Sequence, residues 1–137
     1  MCLPVKVSHP EFVLAEGVHV GHEWAVVQNG IGYRCGYIKV EPDHPWYGQD
    51  EMNCEVHGGI TFSARDTPCD KGGPDDGWWI GFDCAHCGDR PDPSLVGYWD
   101  PIKNPYRDST ETIKTTEYVI KECRSLCEQA AAAKGNP

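Results

Sequence analysis

From Ser109 to Lys134 the chain carries neither glycine nor proline, and no other feature of the sequence restricts its fold as strongly. Within this stretch Val119, Cys123, Leu126, Cys127 and Ala130 recur at spacings of four, three, one and three, which puts them on one side of a helix. Lys121, Glu122, Arg124 and Glu128 lie off that stripe, and Gly135 follows as a stop signal. The pattern predicts a C-terminal helix over 109–134 with one apolar face to bury. Fourteen of the fifteen glycines and ten of the eleven prolines lie before it, so residues 1–108 are expected to be strands, turns and loops.

Four segments of that first part read as strands. Glu23–Val27 and Ile31–Val40 flank Asn29-Gly30, which predicts a two-residue hairpin turn whose central positions accept positive φ and which brings Trp24 near Cys35. Residues 54–64 (CEVHGGITFSA) and 78–85 (WWIGFDCA) are rich in β-branched and aromatic side chains. The expected fold is α+β: one domain of 137 residues, an antiparallel sheet of hairpins packed by the long C-terminal α-helix.

If 54–64 and 78–85 pair across the loop between them, opposed residue numbers sum to about 142. His57 then falls near Ala85–His86 and Gly59 near Asp83–Cys84. Glu55, His57, Gly59 and Thr61 share one strand face, and Trp79, Gly81 and Asp83 share one on the partner. Gly58-Gly59 beside the imidazole marks either close approach by a ligand or a bulge. Asp83, inside an apolar run, needs a partner. Paired with His57 or His86 it would orient an imidazole for general-base chemistry, making His57, Asp83 and His86 the candidate catalytic set. Its other reading is a cap on the turn at 84–89.

Cys54-x-x-His57 and Cys84-x-x-Cys87 together offer four ligands in two pairs, a pattern that suits Zn²⁺ or another divalent metal. Against it, residues three apart on a straight strand point to opposite faces. Cys69 and His86 are spare ligands, and Cys123 and Cys127 fit core packing.

Net charge is −9, and the twelve basic residues are scattered, which argues against a long nucleic acid as partner. No apolar run approaches 18 residues, so no membrane span is expected, and MCLPVKVSHP lacks the form of a signal peptide. A cytoplasmic location with reduced thiols is the resulting expectation.

The segments EVHGGITFS and WWIGFDCAH-x-GD resemble those of a family of small uncharacterised proteins encoded mainly by bacteriophages. The resemblance covers roughly residues 30–127 and includes Tyr33-Arg34-Cys35-Gly36-Tyr37, His44-Pro45-x-Tyr47-Gly48 and Glu117-Tyr118-Val119-x-x-Glu122-Cys123. It implies that His57, Gly58, Gly59, Asp83, His86 and Asp89 matter, that cysteine at 54 and 87 is not general, and that the setting is a bacterial host cytoplasm.

Three functions follow as expectations. The first is a phage accessory protein binding a small nucleotide-like molecule at the 55–61/83–89 hairpin to counter host defence. Glu55, Gly58, Gly59, Thr61, Trp79, Asp89 and Arg65 would line that site. Trp46, Trp78 or Trp79 would stack on a base, and Arg34, Arg65 or Arg90 would hold phosphate. The second is a His/Asp hydrolase of such a molecule, with or without a metal. The third is an acidic module that inhibits a host protein through the 41–53 or 66–77 loop. Helix packing also leaves a homodimer open.

Overall fold

The structure, a computed structural model, describes residues 3–67, 77–85, 88–95 and 112–135. A short helix, Pro4–Ser8 (α1), and a 3-10 turn, Pro10–Phe12, lead into strands Val13–His19 (β1), His22–Gln28 (β2) and Arg34–Val40 (β3). Phe62–Arg65 (β4) and Trp78–Asp83 (β5) complete an antiparallel sheet in the order β1-β2-β3-β5-β4. Asp89–Arg90 (β6) and Thr112–Ile113 (β7) form a separate parallel pair, and Thr116–Gly135 (α2) is the long C-terminal helix. Among the described residues no helix is long and apolar enough to cross a membrane.

The helical stripe does what its spacing requires. Val119, Cys123, Leu126, Cys127 and Ala130 are all buried, against Val26, Ile38, Val40, Ile80 and Phe82 on one face of the sheet. Each such aliphatic side chain contributes about 1.5–3 kcal/mol on burial. Gly36 lets the helix come close, since a Cβ there would meet the Phe82 ring and stand 2.7 Å from Cys123 Sγ. The opposite face carries Ala25, Val27 and Trp79, covered by Leu3 with Val5 and Phe12 of the N-terminal segment. Under that cover Asp66 pairs with Lys39 at 3.2 Å, accepts the Gly77 N–H at 3.1 Å, and accepts a hydrogen bond from Trp79 Nε1.

Four boundaries differ from the expectation, each for a physical reason. The helix begins at Thr116, not 109, because Thr112–Ile113 pairs with β6 and Thr115 caps the helix, its Oγ1 accepting the Tyr118 N–H at 3.2 Å. Residues 109–111 lie outside the described set. The β2–β3 hairpin forms, but Gln28 faces Arg34 and Trp24 faces Ile38. Asn29 works there through its side chain, whose Oδ1 accepts the N–H groups of Ile31 and Tyr33, both at 3.0 Å. The positive-φ pair sits one hairpin earlier, at Val20 (φ 45°) and Gly21 (φ 84°), between His19 and His22. The strand expected over 54–64 is confined to Phe62–Arg65, and that over 78–85 ends at Asp83. Where β4 and β5 pair, opposed numbers such as 62 and 81 or 64 and 79 sum to 143, one from the expectation.

Candidate functional site

Residues 54–61 leave the sheet because the chain turns over at Val56–Gly59. The Gly59 N–H donates to the Val56 carbonyl at 3.0 Å, and Gly58 has φ 69°, at the position where a type II turn takes glycine. Gly59 follows with φ 82°. The glycine pair therefore makes a corner, not a strand bulge, and His57 stands at that corner against α2. Its backbone N–H donates to Glu122 Oε1 at 3.0 Å.

Both ring nitrogens of His57 are engaged. Nε2 lies 2.9 Å from each carboxylate oxygen of Asp89, and Nδ1 lies 2.8 Å from the Tyr118 hydroxyl. A carboxylate only accepts, so Nε2 carries a proton and donates it to Asp89. In the neutral ring Nδ1 is then the acceptor, and the Tyr118 O–H donates to it. The Asp89 side chain is 1% exposed and that of His57 17%. Pairing of β6 with β7 fixes Asp89 opposite Thr112, and Lys114 Nζ approaches its Oδ1 at 3.3 Å, so His57 and Lys114 both offset the buried carboxylate. Burial, then the charges of Glu122, Cys84 and Asp89, raise the Tyr118 phenol above its ordinary value. The hydroxyl therefore rests protonated.

A shallow, open groove of about 400 Å³ runs beside His57, lined by Glu55, Val56, His57, Glu122, Ser125 and Gln129. Tyr118, Glu122, Ser125 and Gln129 are four, three and four residues apart, a second stripe on α2 beside the apolar one. Gln129 holds the far end of the loop through Glu55. The wall is thus built from helix side chains that grip the loop backbone. It presents an acid–base row at one end and carboxylate and amide groups along its length.

The remaining expected site residues divide. Asp83 Oδ1 accepts the Ala85 N–H at 3.1 Å, the turn-capping role, and the carboxylate that meets His57 is Asp89. Trp79 is 6% exposed and belongs to the core behind the sheet, and Trp46 is equally buried. Trp78 donates from Nε1 to Ser63 Oγ at 2.6 Å and packs on Tyr47. Arg34 is taken by Thr116 Oγ1, the Lys114 carbonyl and Asp92 at 2.9–3.1 Å. Thr61 closes the β4 end of the sheet, its N–H donating to Gly81, with its side chain exposed; Arg65 is exposed on the edge strand. Glu55 lines the groove, and Gly59 is exposed at the corner.

For the metal set, Cys54 packs against the main core and Cys84 is buried, its thiol pushed up to about 12 by burial and then by Asp89. Burial raises the Cys54 thiol as well. Among the described residues no three of His, Cys, Asp and Glu gather in metal-holding fashion. His86, Cys87 and Cys69 lie outside the described residues, as does most of the 66–77 loop.

Sequence reasoning from patterns missed Tyr118, Lys114, Glu122 and Gln129 as site groups. The polar stripe on α2 was the available signal for three of them; nothing local marks Lys114. Compared with protein-family models, curated proteins and solved structures, the chain has no match.

Proposed function

We propose that Asp89, His57 and Tyr118 form an acid–base site that acts on a small polar molecule held in the groove between the 54–61 loop and α2. The observation that carries this reading is the two-sided engagement of one partly exposed imidazole, by a buried carboxylate at 2.9 Å and a hydroxyl at 2.8 Å. In that arrangement the Tyr118 oxygen faces substrate and His57 takes its proton. Asp89 steadies the imidazolium, with Lys114 balancing the carboxylate. A raised phenol supports proton delivery and recovery at Tyr118 and argues against a standing tyrosinate nucleophile. Hydrolysis or another proton-coupled step on a small molecule is the reaction class.

Trp46, Trp79 and Arg34 of the nucleotide expectation are committed to the interior, and the half-buried Trp78 is bonded to Ser63 and packed on Tyr47. The ligand is therefore better matched to a neutral or cationic polar molecule, given Glu55 and Glu122 in the groove. In the phage setting that the resemblance implies, the substrate would be a host metabolite.

A second reading, capture without turnover, is favoured by how firmly Gln129 and Glu122 hold the groove wall. Incubating the protein with a bacterial small-molecule extract, and following both pools by mass spectrometry, separates the two. Turnover predicts depletion of a metabolite with stoichiometric product, slowed by about a hundredfold or more in Tyr118→Phe. Return of the captured molecule intact on denaturation would instead establish the binder.

A further inference from the structure

At the opposite end of α2 a hollow of about 300 Å³ is lined by Val20, Gly21, His22, Glu41, His44 and the last turn of the helix. Two imidazoles meet there edge to face, with ring centres 5.6 Å apart. His44 spends both nitrogens within the protein. The Trp46 N–H donates to its Nδ1 at 3.0 Å, so its Nε2–H donates to the Ala130 carbonyl at 2.8 Å.

His22 does not. Its Nδ1 lies 2.9 Å from the Lys39 carbonyl. A carbonyl cannot donate, so the proton is on Nδ1, and in the neutral ring Nε2 is a bare lone pair. Among the described residues nothing donates to that atom, although His22 is only 8% exposed. A buried acceptor without a donor is unfavourable unless something supplies one.

The surroundings select the donor. Glu41 stands exposed at the hollow, and the C-terminal end of a 20-residue helix adds the negative end of its dipole. Lys134 also lines the hollow, with its Nζ 3.0 Å from Asp43 Oδ2, an opposite charge that offsets its own. Val20 beside them takes φ 45° as the first central residue of the β1–β2 turn.

We propose that this hollow binds a protonated amine, whose N–H groups donate to His22 Nε2 and to the Glu41 carboxylate. The site is separate from the His57 groove and does not depend on the reading given to it.

The test is an NMR titration of ¹⁵N-labelled full-length protein with methylammonium chloride, reading the His22 ring nitrogens and the Gly21 amide. The expected result is a saturable shift of His22 Nε2 with Nδ1 unchanged, and no such shift with tetramethylammonium, which has no N–H to donate. Glu41→Gln should weaken binding roughly two- to fivefold, the range of an exposed charge pair. His22→Asn keeps a donor for the Lys39 carbonyl but lacks the second nitrogen, and should lose the saturable response at an unchanged melting temperature. An equal response to tetramethylammonium, no response to methylammonium, or a response to Zn²⁺ alone would overturn the proposal.

Discussion

Gln129 holds Glu55 by both its backbone N–H and its backbone carbonyl. Its side-chain oxygen accepts the Glu55 N–H and its amide donates to the Glu55 carbonyl, each at 2.7 Å. One helical side chain thereby does for the loop what a neighbouring strand would do, and Glu122 repeats the grip at His57. Gln129→Ala should cost about 1–2 kcal/mol, since these bonds are partly exposed. Amide exchange at Glu55 and His57 should rise, while β2 and β3 stay protected. Unchanged exchange at Glu55 would show that the pair does not hold the loop.

That grip also explains what could and could not be read from the chain. Central-hairpin pairing was legible to within one residue, because Phe62, Ala64, Trp79 and Gly81 keep the two-residue alternation. The path of 54–61 was not. Gly58 and Gly59 read equally well as a bulge or as a corner, and only contacts with α2, more than sixty residues away, decide between them. Asp89 was marked by resemblance alone, because a two-residue strand such as Asp89–Arg90 has no periodicity to detect. Tyr118 was hidden by its place beside Val119 in an amphipathic helix, where a polar neighbour of the apolar stripe reads as solvated surface. The buried Lys39–Asp66 pair runs against the preference of charged residues for the surface, and the β3 pattern alone gives no sign of it.

That pair should be costly to break from one side. Lys39→Met leaves Asp66, whose side chain is fully buried, without its cation, and should destabilise by about 3 kcal/mol or more in urea unfolding. Adding Asp66→Leu should recover part of the loss. Two losses that simply add would mean that the pair is not coupled.

Val20 is the place to gain stability. Its φ of 45° is poorly suited to a β-branched side chain, whereas asparagine tolerates it. Val20→Asn should raise the unfolding free energy by about 1 kcal/mol. A lower melting temperature would mean that the valine makes contacts that outweigh its strain.

Alkaline pH should weaken the fold through its thiols. Burial first, then neighbouring acidic groups, raises Cys35, Cys84 and Cys127 to about 12 from an ordinary 9.0, and Cys123 is raised too. Above 9.0 the unfolded chain releases these protons and the folded chain keeps them, so the unfolded state binds fewer and stability falls with pH. Their contribution is whole below pH 9.0 and disappears as pH rises through about 12. Urea midpoints should hold near neutrality and drop steadily above 9.0; a flat profile there would contradict the assignment.

The proton order along Asp89, His57 and Tyr118 is the central claim, and long-range ¹⁵N–¹H correlation of the His57 ring reads it directly. The account predicts a proton on Nε2 and a bare, hydrogen-bonded Nδ1, with that preference weakened in Asp89→Asn. A proton resident on Nδ1, with Nε2 bare toward Asp89, would contradict it.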